Sequence, residues 1–169
     1  MGLLSAYLDK KIGDLIKNNC IFNVIGEIGD LDPSLQKKLT RAMENSKKNT
    51  GLVVTFALSY SSRREILKAC QRLAEGAAAG NVKPSQITED DISKYLYTAG
   101  MPDPELLIRT SGEMRISNFL LWQISYAELY LTQKFWPEFT RDEFEKALEA
   151  YRSRERRFGD TCAAKEGKS

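Results

Sequence analysis

Leu52-Val53-Val54-Thr55-Phe56-Ala57-Leu58 forms an almost unbroken apolar run near the middle of the chain. Such a run is typical of a strand with both faces covered, which is the usual situation in a mainly parallel sheet. A helical pattern follows from about Ser62 to Ala78. A buried strand that leads into a helix is a unit of α/β proteins, so this segment predicts an α/β fold.

The sequence on either side of this unit continues the alternation of strands and helices. Apolar segments of strand length occupy residues 21–26, 106–109 and 128–131, and helical patterns begin near residues 3, 33, 88 and 140. Thr88 with Asp91 and Thr140 with Glu143 match capping boxes, which predict helix starts at both threonines. The alternation predicts a mainly parallel sheet with helices on both faces, and ligands bind beyond the carboxyl ends of such strands.

The composition excludes several classes of protein. The 169 residues carry a net charge of +2, without the strong basic excess of a general nucleic-acid binder, so we expect no nucleic-acid partner. The absence of histidine excludes histidine-based general bases, triads and metal sites. Three widely spaced cysteines match no metal motif and indicate a reducing compartment.

The chain shows no secretory signal and no apolar run near the roughly 20 residues of a membrane span. We therefore expect a cytoplasmic protein or, in a eukaryote, one associated with an organelle or with the endoplasmic reticulum membrane. The polar residues 160–169 are expected to form a disordered tail.

One stretch carries the residue types of a phosphate site: Arg109-Thr110-Ser111-Gly112-Glu113-Met114-Arg115-Ile116-Ser117-Asn118. Arginine matches phosphate oxygens bidentately and keeps its charge, hydroxyls add neutral donors, and a glycine lets backbone amides approach a ligand. The alternative is a polar loop whose arginines pair with carboxylates such as Glu113. Composition alone favours neither interpretation.

Two acidic segments are candidates for metal binding. Glu128 stands beside apolar sequence, where a carboxylate either binds a cation or forms a structural ion pair; taken alone, the structural interpretation is favoured. Glu89-Asp90-Asp91 lies at a predicted helix start, where acidic side chains favour the positive end of the helix dipole. We interpret these three acids as helix-capping residues.

The stretch from Arg109 to Asn118, continued by Phe119-Leu120-Leu121-Trp122-Gln123 and then Tyr126 and Glu128, resembles the C-terminal signature of the cis-prenyltransferases. This family includes undecaprenyl and dehydrodolichyl diphosphate synthases. Residues 59–66, with serines in place of two family glycines, and residues 135–139 and 154–159 resemble further family segments in the expected order. The resemblance covers residues 1–159 and implies one partial domain with an incomplete undecaprenyl diphosphate synthase-like fold.

The resemblance also implies roles for individual residues. Arg109, Arg115 and Ser117 correspond to positions that hold the diphosphate of isopentenyl diphosphate, and Glu128 to a carboxylate that helps bind Mg²⁺. Arg157 and Gly159 resemble a C-terminal motif that completes the partner's site across a dimer, so a homodimer or a heterodimer with a related subunit is implied. The remaining implied positions line the tunnel for the growing chain, although ordinary core packing gives the same pattern; they are Leu3, Leu4, Leu8 and Leu52.

The implied reaction condenses isopentenyl diphosphate with an allylic diphosphate to give a cis-polyprenyl diphosphate. Its lipid product implies peripheral membrane association. The 169 residues lack the family's His-x-x-x-x-Met-Asp-Gly-Asn-Arg-Arg-Trp-Ala motif, whose Asp serves the metal and the allylic diphosphate. We therefore expect no catalytic residue here, no turnover by this chain alone, and poor solubility from uncovered apolar strands. The alternatives are a non-catalytic subunit of a heteromeric enzyme and an inert fragment.

Overall fold

The structure is a computed structural model that describes residues 11–153. The chain divides after Met101 into two compact units. In chain order the elements are α1 (residues 11–17), β1 (Ile21–Ile25), α2 (Pro33–Ser46), β2 (Val53–Ala57), α3 (Ser62–Ala78), α4 (Glu89–Ser93), β3 (Leu106–Arg109), β4 (Glu128–Leu131) and α5 (Arg141–Arg152). Single 3₁₀ turns occupy Ile28–Asp30, Pro84–Gln86 and Trp136–Glu138.

The first unit is built on the parallel pair β1–β2. Its register runs from Ile21 opposite Val53 to Ile25 opposite Ala57. Phe22 and Phe56 pack with ring centroids 5.4 Å apart. A parallel pair needs a crossover connection, and α2 provides it by packing against β1.

Helix α2 begins after a capping residue and buries a stripe of side chains along one face. The Asp32 side chain accepts a hydrogen bond from the backbone N–H of Ser34 at 2.8 Å, and Pro33 occupies the first turn. The buried residues follow helical spacing, and they are Leu35, Leu39, Ala42 and Ser46. The first three join the core of the unit, so the amphipathic stripe accounts for the position of the helix.

The second unit is built on the parallel pair β3–β4, with Leu106 opposite Glu128 and Arg109 opposite Leu131. Helix α5 packs against β4 and buries Ala147 completely. In the segment of chain that connects β3 to β4, the buried side chains are Leu120, Gln123 and Ile124. Parallel strand pairs in both units, with a helical crossover in the first, confirm the predicted α/β class.

Two details differ from the sequence expectations. Thr140 does precede α5, but its side chain makes no capping hydrogen bond, and the Glu143 side chain pairs with Lys146 at 2.7 Å. Strand β2 is not covered on both faces: Val53 is 50% exposed, although Phe56 is half-buried. Each sheet contains only two strands among the described residues, so every strand is an edge strand.

Apolar side chains are correspondingly exposed on the strands of both units. Leu129 and Leu131 on β4 are 40% and 43% exposed. This uncovered surface agrees with the expected uncovered apolar strands, and poor solubility stays a prediction. No helix within residues 11–153 is long and apolar enough to cross a bilayer.

Several sequence predictions fall on residues outside the described range. They concern Leu3, Leu4, Leu8, Arg157, Gly159 and the tail 160–169.

Candidate functional site

The loop after β3 is held by backbone hydrogen bonds to the segment that follows β4. The N–H of Thr132 donates to the carbonyl of Arg109 at 2.9 Å, and the N–H of Gly112 donates to the carbonyl of Thr132 at 2.9 Å. The N–H of Ser111 donates to the carbonyl of Lys134 at 2.8 Å. The loop thus has a fixed position at the carboxyl end of the strand pair, where ligands of parallel sheets bind.

Arg109 has a buried polar atom with no partner. It is the last residue of β3 and is half-buried, and its Nε is buried without a hydrogen-bond acceptor anywhere in residues 11–153. Such a donor costs about 1–3 kcal/mol if it stays unsatisfied, so each instance calls for an explanation such as a bound anion or water. A phosphate oxygen would satisfy it.

The loop backbone adopts conformations that L-residues rarely take. Positive φ values occur at Ser111 (67°), Gly112 (66°), Ser117 (54°), Asn118 (61°) and Leu120 (48°). Left-handed conformations at residues other than glycine cost free energy and cluster at ligand-binding segments. At Gly112 an added Cβ would also lie 2.3 Å from Oε1 of Gln133, so glycine leaves room for the Gln133 side chain beside the loop backbone.

Arg115 pairs with a carboxylate of its own loop. Its Nη1 contacts Oε2 of Glu113, and its side chain is 70% exposed. The structural alternative from the sequence is therefore realised for Arg115, although an exposed pair contributes little to stability and separates readily. Ser117 is exposed on the same loop. The convergence of Arg109, Arg115 and Ser117 on one anion stays a prediction.

Glu128 lies at the other end of the strand pair. It begins β4 opposite Leu106, three register positions from the level of Arg109, or about 10 Å along a strand. Its N–H donates to the carbonyl of Glu105 at 2.9 Å. Within residues 11–153 no group of three or more Cys, Asp or Glu side chains is arranged to hold a metal ion.

The acidic triplet of α4 behaves as a capping segment. Thr88 and Asp91 form the predicted capping box, with each side chain bound to the backbone N–H of the other residue. Hydrogen bonds from Lys94 and Thr88 lower the pKa of Asp91 to about 2. Asp91 is thus a helix-capping residue as interpreted, and Glu89 and Asp90 lie beside it in the first turn of α4.

Leu52, the one tunnel candidate within the described range, precedes β2 and is 70% exposed. It is therefore not a core residue of its unit.

A second set of polar residues lies at the carboxyl end of β1–β2, and the sequence did not predict it. We call it the Glu27 cluster: Glu27, Arg64, Lys68 and Tyr97. Glu27 accepts a hydrogen bond from Nζ of Lys68 at 2.5 Å and another from the Tyr97 hydroxyl, and its carboxylate lies 3.8 Å from Nε of Arg64. Arg64 also pairs with Asp30 at 2.9 Å.

The Glu27 cluster shifts the ionisation of its members. The Lys68 and Tyr97 hydrogen bonds lower the pKa of Glu27, although burial opposes them. The hydrogen bond to Glu27 raises the pKa of Lys68, and burial, followed by the Glu27 bond, raises the pKa of Tyr97. Glu27 is therefore held as a carboxylate and Lys68 as an ammonium.

Glu65 anchors the start of α3 beside this cluster. It is fully buried and accepts hydrogen bonds from the Tyr97 backbone N–H at 3.0 Å and from the Tyr60 hydroxyl. The one local signal for this region was the position of Glu27 directly after Gly26 at the end of a predicted strand. Lys68 and Tyr97 lie 41 and 70 residues farther along the chain, so no sequence pattern connects them with Glu27.

Polar and charged groups thus lie at the carboxyl ends of both parallel strand pairs. The chain is therefore an α/β protein with polar sites beyond the carboxyl ends of its strands. The family model described as "Putative undecaprenyl diphosphate synthase" matches residues 1–159. The chain belongs to this family, the cis-prenyltransferases.

Relatives by sequence carry consistent descriptions. The chain is 47% identical over 163 residues to an isoprenyl transferase of Geobacter sulfurreducens, covering 96% of this chain and 66% of that protein. It is 44% identical over 159 residues to the ditrans,polycis-undecaprenyl-diphosphate synthase ((2E,6E)-farnesyl-diphosphate specific) of Micrococcus luteus, covering 94% and 64%. The chain therefore spans slightly less than two thirds of the length of these relatives.

Solved structures agree in fold. Lavandulyl diphosphate synthase from Lavandula x intermedia, in complex with dimethylallyl diphosphate, matches with a TM-score of 0.88 and 33% identity over 92% of this chain and 67% of that one. A probable undecaprenyl diphosphate synthase from Campylobacter jejuni matches with a TM-score of 0.80 and 32% identity, covering 94% and 72%. These similarities confirm the predicted family and fold class.

Proposed function

We propose that this chain contributes the isopentenyl diphosphate half-site of a cis-prenyltransferase, an enzyme that condenses isopentenyl diphosphate with an allylic diphosphate. The unsatisfied Nε of Arg109 at the carboxyl end of β3 supports the proposal most directly. A buried guanidinium nitrogen without an acceptor suits an anion, and a diphosphate offers pairs of oxygen atoms that the planar guanidinium can bind bidentately. Membership of the family supports isopentenyl diphosphate as the ligand of this site.

In this proposal Arg109 and Arg115 bind the diphosphate, and the Ser117 hydroxyl donates a neutral hydrogen bond to it. Arg115 exchanges its pair with Glu113 for the substrate, which is feasible because that pair is exposed. The double bond of isopentenyl diphosphate then attacks the allylic carbon, diphosphate leaves from that carbon, and loss of a proton gives the cis double bond.

Mg²⁺ is the cofactor we propose, with Glu128 as its candidate carboxylate in this chain. Mg²⁺ is usually held by one or two carboxylates together with substrate phosphates, so a single protein carboxylate is compatible with it. When bound, the ion neutralises diphosphate charge. The register distance between Glu128 and Arg109 means that only a ligand spanning several ångströms would contact both residues.

The remaining parts of the proposal concern partners. Arg157 and Gly159 would complete the site of a partner subunit, either a second copy or a related chain. The allylic substrate would require the Asp-Gly-Asn-Arg-Arg segment that these 169 residues lack. We therefore propose that the chain binds isopentenyl diphosphate but does not turn it over by itself.

Calorimetric titration with isopentenyl diphosphate and Mg²⁺ tests the binding half of this proposal. Arg109→Ala and Arg115→Ala should each weaken binding about 10- to 150-fold, which corresponds to the loss of a charge-assisted hydrogen bond of about 1.5–3 kcal/mol. Arg141→Ala is the matched control, since Arg141 is an exposed arginine that pairs with Glu145 at 2.8 Å on α5. Equal affinities for all four proteins would refute the assignment of the two arginines.

A further inference from the structure

Two backbone donors of the loop after β3 are already engaged. The N–H of Gly112 donates to the carbonyl of Thr132, and the N–H of Ser111 donates to the carbonyl of Lys134. Each residue has a single backbone N–H, so neither position offers a free backbone donor to a ligand. The glycine of this loop therefore serves some purpose other than exposing its own N–H to an anion.

Gly112 makes room for the side-chain amide of Gln133. A Cβ on Gly112 would lie 3.1 Å from Cδ and 3.3 Å from Nε2 of Gln133, and closer still to Oε1. Any larger residue at position 112 would therefore displace the amide, which is the end of a flexible side chain. The absence of a Cβ thus lets the Gln133 amide lie directly against the loop backbone.

The Gln133 amide is close to Arg109 along the strand pair and has hydrogen bonds to offer. Arg109 is the register partner of Leu131, and Gln133 lies two residues farther along, or at most about 7 Å of chain. Thr132, the residue between them, donates its N–H to the Arg109 carbonyl. Gln133 is exposed, and its amide makes no hydrogen bond to any group in residues 11–153. Its two N–H donors are therefore available within reach of an anion bound by Arg109.

We propose that Gln133 is a further substrate-binding residue, whose side-chain amide donates a neutral hydrogen bond to the diphosphate of isopentenyl diphosphate. The inference rests on the proposed function and adds a residue to the same site. Gly112 admits the amide beside the loop, and the amide supplies a donor that the engaged N–H groups of Ser111 and Gly112 do not. A neutral donor fixes the orientation of a diphosphate whose charge is met by the arginines.

Calorimetric titration of the full chain with isopentenyl diphosphate and Mg²⁺ tests the proposal through two variants that keep the length of the side chain. Gln133→Met removes the donors, and Gln133→Glu replaces the NH₂ group by a charged oxygen. The methionine variant should bind about 10-fold more weakly, the low end for a hydrogen bond to a charged group, because the side chain is exposed. The glutamate variant should bind more weakly still, since its charge repels the diphosphate.

Inorganic diphosphate identifies the part of the substrate that the amide contacts. Gln133→Met should weaken the binding of inorganic diphosphate by the same factor, because the contact is to the diphosphate and not to the hydrocarbon. Gln71→Met is the matched control, since Gln71 is an exposed glutamine on α3 with no assigned role. It should leave both affinities within about twofold of those of the unmodified chain, and the urea midpoints of all variants should be unchanged.

A double-variant cycle tests the part that Gly112 plays. Gly112→Ala alone should weaken the binding of isopentenyl diphosphate, because the added methyl group displaces the Gln133 amide. In a Gln133→Ala background the methyl group has no amide to displace, so the same change should cost less affinity there. Backbone strain from the φ of 66° at position 112 acts in both backgrounds and cancels from the comparison. Equal losses in the two backgrounds would contradict this role of Gly112.

Two results would remove Gln133 from the site while leaving the proposed function intact. In the first, Gln133→Met keeps the affinity of the unmodified chain although Arg109→Ala loses it. In the second, Gln133→Met weakens the binding of isopentenyl diphosphate but not that of inorganic diphosphate, which would place the side chain against the hydrocarbon. An unmodified chain that binds no isopentenyl diphosphate would refute the proposed function itself, and this inference with it.

Discussion

At the scale of single residues, Glu27 shows how neighbouring donors fix a charge. Its carboxylate is 12% exposed and accepts hydrogen bonds from Lys68 and Tyr97, which lower its pKa below the ordinary value of 4.5. A carboxyl group with a lowered folded-state pKa adds stability that is fully present above its unfolded-state pKa. That stability is lost as pH falls through the lower, folded-state value.

Glu27→Gln should therefore have two effects on unfolding. At neutral pH the free energy of unfolding should fall by about 1–3 kcal/mol, toward the lower figure because Lys68 is partly solvated. Below about pH 4.5 the variant should lose less stability than the unmodified chain. Urea titrations at several pH values, followed by circular dichroism, measure both effects.

Glu44→Gln is the control for this prediction. Glu44 is an exposed carboxylate with one distant lysine contact, and its replacement should change the free energy of unfolding by less than about 0.5 kcal/mol. A Glu27→Gln protein with the same acid sensitivity as the unmodified chain would contradict the assigned role of the Glu27 cluster.

At the scale of elements, the parallel pair β1–β2 ends in a close backbone approach. Gly26 follows β1 with a φ of 112°, and a Cβ there would lie 2.1 Å from the carbonyl oxygen of Leu58. That oxygen belongs to backbone, which cannot rotate away as a side chain can. Glycine is thus required by both conformation and space, and the approach positions Glu27 and Tyr60 at the carboxyl edge.

Gly26→Ala should lower the free energy of unfolding by about 2–4 kcal/mol, the sum of backbone strain and overpacking. Gly80→Ala separates these causes, because Gly80 also has a positive φ (75°) but no atom lies within 4 Å of where its added Cβ would stand. It should cost only about 1 kcal/mol. Equal urea midpoints for the two variants would show that there is room for a methyl group between Gly26 and the carbonyl oxygen of Leu58.

At the scale of the whole molecule, charge limits what the chain can do. Two diphosphates must lie close together to react, and their repulsion must be offset by cations and fixed donors. In the proposed function, Arg109 and Arg115 bind one diphosphate, and the 169 residues include no Asp-Gly-Asn-Arg-Arg segment for the other. Without that segment, the allylic diphosphate is neither positioned nor activated as a leaving group.

We therefore predict that the purified chain makes no butanol-extractable product from farnesyl diphosphate, labelled isopentenyl diphosphate and Mg²⁺. Product above a no-protein control would overturn this prediction. Addition of a separately produced segment bearing the Asp-Gly-Asn-Arg-Arg motif should restore turnover if the chain supplies a working half-site. Binding of isopentenyl diphosphate without restored turnover would favour the non-catalytic subunit.

The sequence by itself determined the strands and helices, and it singled out the loop after β3, whose role as a phosphate site stays a prediction. The apolar runs at 21–26, 52–58, 106–109 and 128–131 correspond closely to β1 to β4, because strand burial leaves a mark in consecutive residues. Thr88 likewise marked a helix start, since a cap bonds to residues only two or three positions away. Thr140 also stands at a helix start, although its side chain makes no capping hydrogen bond and the Glu143 side chain pairs with Lys146.

Tertiary structure alone decided which distant side chains meet. It brought Glu27 to Lys68 and Tyr97, left the Nε of Arg109 without an acceptor among residues 11–153, and separated Glu128 from Arg109 by three register positions. Hydrophobic periodicity shows that a residue is buried and on which face of its element, but it contains no information about partners beyond that element. Those partners follow from strand register and from the packing of helices that are far apart in sequence.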